Sequence, residues 1–263
     1  MESIEHLREV AERNGGGRVT PFVNLSRLAT IERNAQAFDH AEILGAGKVC
    51  GESIMYGYSK VLDYAMILDT TLAAHARVGG KALVEKSVVA GTADIRGEKA
   101  SVYRCQITDN VIIAGDCRVE ESTLGANTRV LDQAKLYNVI TGHGDTGETY
   151  VICGDAELVF PSPAELYPGT RVHEGYWTRP PYVIATPHFY TVEGVGDRVQ
   201  IGCMNRYLNF WFKHGKQVLI EYGLPEELYP QFYDAMVEMR RFKKEMKSPN
   251  YPNRRKPDDS NII

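Results

Sequence analysis

Aliphatic residues or Met recur about every six positions between Ile43 and Leu136, through Val49, Met55, Val61, Ile67, Leu72, Val78, Val84, Val89 and onward. Two positions ahead of nearly every one stands a small residue, such as Ala41, Gly47, Ser53, Ser59, Ala65, Thr70, Ala76, Ala82 or Ser87; Val111 is the exception. A helix needs apolar spacings of three and four, and a half-buried strand a spacing of two, so neither accounts for a period of six. A very short strand followed by a tight bend does, with one large and one small side chain turned inward per repeat. Three such repeats close a triangular coil. Steps of five at 67–72, 84–89, 102–107 and 119–124 fall once per three repeats, which sets coils of 17 or 18 residues.

The segments Ala76–Val89, Ala93–Ile107 and Cys117–Leu136 resemble the hexapeptide-repeat, left-handed parallel β-helix family. The resemblance implies a mainly β fold in which a triangular prism spans residues 41–160, preceded by an N-terminal cap or arm at 1–40. Its members are commonly homotrimers that hold ligands in clefts between prisms, and many are CoA-dependent acyltransferases with a catalytic His near such a cleft.

The register also sorts outward residues by face, since neighbours of an inward side chain in a strand point out. One face carries Thr71, Ala73, Val88, Ala90, Gln106, Thr108 and Thr123, with no charge among them. Such a wall is expected to be covered, by a second copy of the chain or by its own C-terminal region. The second face offers Arg77, Arg96 and Arg129, and the third Tyr103, Arg118 and Tyr137. These six are candidate ligand contacts at a cleft margin, the alternative for each being a solvated surface side chain.

After Leu136 the pattern breaks at 141–148, a Gly-rich loop containing His143, and resumes at Val151 or Ile152 with Ala156 and Leu158. His143 is the candidate base of an acyltransferase. Residues 161–204 read as a Pro-rich linker followed by a β-hairpin, with strands at Tyr182–Ile184, Phe189–Val192 and Arg198–Ile201. The linker carries Arg171, His173, Trp177 and Arg179, cations and aromatics that suit an anionic ring compound or, alternatively, pack a domain junction. An αα-hairpin is expected over 205–247. Leu208, Trp211, Phe212, Val218, Leu219 and Tyr222 form one stripe, and Leu228, Phe232, Met236, Met239 and Phe242 the other. It caps the open end of the coils or docks on their wall. A basic tail, counting Arg240, Arg241, Lys243 and Lys244, leads into a flexible segment at 248–263. The coils, the hairpin with Ile201-Gly-Cys203 and the helical pair with Trp211 together resemble phage and prophage members of this family without an assigned activity.

Composition narrows the classes. A net charge of −4 over 263 residues gives no reason to expect nucleic acid as a partner. No stretch reaches the ~18 apolar residues of a membrane span, and Met1–Glu12 lacks the apolar core of a signal peptide. A cytoplasmic location is expected, the host cytoplasm for a phage-encoded chain. The five cysteines have no C-x-x-C spacing, and Cys105 and Cys117 sit at inward small-residue positions. Neither a metal site nor a cofactor is expected, acetyl-CoA or another acyl-CoA applying only to an acyltransferase. The first reading is therefore a non-catalytic homotrimer that holds an anionic small molecule, a nucleotide-type immune signal being one candidate in phage counter-defence. Acyl transfer through His143 is the alternative, and a structural or protein-binding scaffold the third.

Overall fold

The protein is described by a computed structural model over residue 12 and residues 15–142, 149–166, 168–178, 182–184, 191–201 and 204–247. Its body is a parallel β-solenoid with three stacks of short strands. The first face runs from Arg18–Val19 through Gln36–Ala37, Ile54–Met55, Thr71–Leu72, Val88–Val89 and Gln106–Ile107 to Thr123–Leu124. The second has nine strands, from Asn24–Leu25 to Arg171–Val172, and the third runs from Thr30–Ile31 to Tyr176–Trp177. Register follows the coil length, with Thr71 opposite Val88, Val88 opposite Gln106 and Gln106 opposite Thr123. The rung residues are the core. Ile43, Val49, Met55, Val61, Ile67, Leu72, Val78, Val84, Val89 and Ile95 have no solvent exposure at all.

The solenoid exceeds the stretch in which the six-residue pattern is plainest. Val19, Leu25, Ile31 and Ala37 continue the period backward from Ile43, and their strands pair in parallel with the next coil. Parallel strands thus begin at Arg18, within the segment expected to be an arm. At the other end, Arg171–Val172 pairs with Val151 and Ile152, and Tyr176–Trp177 pairs with Glu157 and Leu158. The coils therefore run through the first part of the expected linker.

Corners differ by length, and the difference explains which small residue each one takes. At six-residue corners the N–H of the small residue closes a turn, as from Ala65 to Leu62 O or from Ala76 to Ala73 O, and Ala suffices. The five-residue corner lacks room for that bond. There the N–H donates to the side chain of the coil before it: Thr70 to Ser53 Oγ at 3.1 Å, Cys105 to Ser87 Oγ at 3.0 Å and Val139 to Ser122 Oγ at 3.0 Å. Ser87 N–H donates to Thr70 Oγ1, and Ser122 N–H to the Cys105 sulfur. A ladder of hydroxyls and one thiol thus lines a buried edge, where an orphaned amide would be costly. Burial pushes the Cys105 thiol up to about 12 and the Cys117 thiol up to about 11, so both are inert fillers.

The corner between the first and second faces carries another ladder, of rings. His40 stacks on Tyr58 at 5.1 Å between centroids and Tyr58 on His75 at 5.2 Å, with Phe22 tilted beyond His40 at 5.3 Å. The residue before each of the last three rings, Asp39, Gly57 and Ala74, has positive φ, which the sharp bend imposes.

Four antiparallel strands follow: Tyr182–Ile184, Thr191–Glu193, Arg198–Ile201 and Met204–Tyr207. The last of these takes residues expected to open the first helix, which runs instead over Leu208–Glu221, with the second at Tyr229–Lys247. Trp211, Leu219, Phe232, Ala235, Met236 and Met239 bury a second core against Val192, Val199 and Ile201, and Trp211 Nε1 donates to Val199 O at 3.0 Å. Helical phase makes two corrections. Lys243, expected in a solvated tail, is buried and its Nζ donates to Arg198 O, whereas Phe242 is only half-buried and Tyr222 is exposed. The aliphatic stem of Lys243 fills the inward position while its ammonium finds a carbonyl.

The second helix contacts Tyr176–Trp177, and Met246 and Val195 join the core of the coils. Asp197 N–H donates to Arg171 O while Arg171 N–H donates to Asp197 Oδ1, so the hairpin loop continues the ladder of the last coil. The helical module is an end cap, which protects an otherwise open strand edge. It leaves the first face open in the described chain: Val88 is 46% and Tyr56 44% exposed. Among the described residues no helix is long and apolar enough to cross a membrane.

Candidate functional site

The expected site residues separate onto different surfaces. His143 and Arg179 lie outside the described residues. Trp177 is wholly buried, with Nε1 donating to Glu174 O at 3.2 Å, so it belongs to the core of the last coil and faces no ligand. On the third face Arg118 is held by Glu120, while Tyr103 lies under Arg104 at 4.9 Å and Lys86 at 5.5 Å. Tyr137 is exposed beside them, one coil further on from Glu120. This group is satisfied internally, cation by anion and ring by cation.

The second face gathers the rest. Its forward column reads Glu42, Lys60, Arg77, Asp94, Ile112, Arg129, Val151 and Arg171, each opposite the next. Lys60 is paired with Glu42 at 2.8 Å. Arg96, two residues beyond Asp94 on the same strand, is paired with it at 3.4 Å. The guanidinium groups of Arg77, Arg129 and Arg171 have no ion-pair partner among the described residues. With strands about 4.8 Å apart, Arg129 and Arg171 stand about 10 Å from one another on either side of Val151.

Around Arg77 the surface sinks into a furrow of about 510 Å³, bounded by Leu62, Asp63, Arg96, Glu98 and Ala114 and floored by glycines. The stacking of the coils dictates those glycines: a Cβ on Gly80 would stand 2.8 Å from Gly97 O. Asp63 accepts the Gly80 N–H at 3.0 Å, and Glu98 holds Lys81. Asp94, opposite Arg77, also lines the furrow and is paired with Arg96, so three carboxylates and two guanidinium groups share it, and Arg77 has no ion-pair partner among the described residues.

Nearer the capped end is a contact that the sequence reading did not contain. Cys153 Sγ and His173 Nδ1 lie 2.8 Å apart, on successive coils of the second face and two residues beyond Val151 and Arg171. Cys153 is half-buried and His173 exposed. Asp132 anchors the turn beneath by accepting the Gly154 N–H at 2.9 Å. Burial and the Asp132 carboxylate both raise the Cys153 thiol above its ordinary range, so at neutral pH it is a neutral donor facing an imidazole. The available signal was coil arithmetic. Because the Pro-containing stretch after Glu157 lengthens this coil, the next-coil neighbour of Cys153 falls 20 residues away instead of 17 or 18.

Compared with family models and with curated proteins, the chain matches none. Among the described residues no three His, Cys, Asp or Glu side chains converge on a point that could hold a metal ion.

Proposed function

We propose that the protein is a homotrimeric β-helix of the hexapeptide-repeat kind, in which the second face holds an anionic small molecule without transforming it. The observation carrying this reading is that Arg77, Arg129 and Arg171 on one column have no ion-pair partner among the described residues, beside a face that bears no charge over Thr71, Ala73, Val88, Ala90, Gln106, Thr108 and Thr123. Guanidinium forks bind phosphate and carboxylate bidentately, and a nucleotide-type signal offers both phosphate oxygens and a ring. A copy packed on the uncharged face turns the arginine-bearing face into one wall of a cleft. For a phage-encoded chain in the host cytoplasm, such a cleft would sequester an immune signal.

Titration calorimetry of the intact protein with cyclic and linear nucleotides tests the reading. Binding that weakens about tenfold or more in Arg129→Ala or Arg171→Ala is expected, since a hydrogen-bonded charge contributes roughly 1.5–3 kcal/mol. Affinity equal in wild type and both variants, or no binding of any anion, overturns it. Turnover of acetyl-CoA would assign acyl transfer instead, and retention of neither ligand class would leave the scaffold role.

A further inference from the structure

We propose that Cys153 and His173 form a thiol–imidazole pair that exchanges with small disulfides, making Cys153 a site of reversible covalent modification. This stands apart from the non-covalent binding proposed above, because it is read as a mass adduct on one residue. A nucleophile and a base within hydrogen-bond reach are the two parts such chemistry needs, and Sγ and Nδ1 are 2.8 Å apart. The other described cysteines are unsuited. Cys50, Cys105 and Cys117 are all buried, and burial pushes their thiols up to about 11, 12 and 11.

The step balances with one partner. Sγ attacks one sulfur of the disulfide, the Sγ–S bond forms as the S–S bond breaks, and the thiol proton passes to Nδ1 and then to the departing thiolate. The charged groups around the pair come from three segments. Arg129 and Asp132 lie on the preceding coil, Asp155 on the turn after Cys153, and Arg171 and Glu174 on the following coil. Asp132 accepts the Gly154 N–H and Asp197 that of Arg171, so Arg129 and Arg171 stand among four carboxylates and the surroundings select no sign of charge in the disulfide.

The test uses the whole protein at pH 7 with oxidised glutathione as anionic probe, 2-hydroxyethyl disulfide as neutral probe and cystamine as cationic probe. Reactions are quenched in acid and the adduct is located by peptide mass mapping. Cys153 is expected to be modified before Cys50, Cys105 and Cys117 by each of the three probes. His173→Gln is expected to slow the reaction about tenfold or more, the gap narrowing as pH rises to where the thiol ionises unaided. Should that variant perturb folding, the wild-type pH–rate profile still decides. Base assistance predicts a rate that levels off well below thiol ionisation, whereas a rate that climbs tenfold per pH unit throughout overturns the proposal. Adducts forming first on the interior cysteines overturn it equally.

Discussion

Replacing Ser87 by Ala removes one oxygen from a side chain that is 3% exposed, and the consequence lies one coil away. The Cys105 N–H, which donates to Ser87 Oγ at 3.0 Å, is left without an acceptor in a residue only 2% exposed. The carbonyl that Ser87 itself served, Glu85 O, keeps the Arg104 N–H at 3.1 Å, so one buried donor is orphaned and no acceptor. An unsatisfied buried amide costs about 1–3 kcal/mol. Ser59→Ala is the matched control: Ser59 is equally buried, but its Oγ has no hydrogen-bond partner, so its loss should be neutral or stabilise by about 1 kcal/mol. Each coil of a solenoid couples only to its neighbours, so urea unfolding followed by circular dichroism is best paired with hydrogen exchange. The amide of Cys105 should lose protection in Ser87→Ala, and those of other corners should not. A Ser87→Ala cost within about 0.5 kcal/mol of zero, or an equal cost in Ser59→Ala, would refute the corner argument.

Other consequences follow from the same geometry. Val88→Glu puts a charge on the uncharged face and should convert the proposed trimer to monomer in sedimentation velocity without loss of β signal, since a buried unpaired charge is expensive at an interface. In the folded protein at pH 8, Cys105 and Cys117 should resist iodoacetamide, becoming reactive only in urea, because their raised thiols hold almost no thiolate there. Each thiol favours the folded state below the unfolded pKa near 9, and that contribution fades as pH rises through about 11 to 12, so alkaline unfolding should begin earlier than in a Cys105→Ser variant. Lys243→Ala should destabilise the end cap by about 1–3 kcal/mol in thermal melts by removing the donor to Arg198 O and the buried stem.

Much of the solenoid is legible in the chain because each rung needs one large apolar residue at a fixed step, so the register of residues 43–136 follows from spacing alone. Where Ala37 stands in for a larger aliphatic the period fades, and the first coils pass for an arm although Val19, Leu25 and Ile31 keep the step. At the far end the strand Glu157–Glu165 passes Pro161 and Pro163 while turning from the third face to the first, which disguises a coil as a linker. The charged column on the second face is predictable from alternation, but which arginines lose their partners is not, because that depends on neighbours 17 to 22 residues away. The same holds for Cys153 and His173, which are joined by a coil of 20 residues where most have 17 or 18.

Native mass spectrometry of the intact wild-type protein, alone and with cyclic nucleotides or acetyl-CoA, tests the central claim most directly. Three times the 29.4 kDa chain mass, with up to three anionic ligands retained unchanged, is the predicted result. A monomer that retains no anion, or conversion of acetyl-CoA to free CoA, would contradict it.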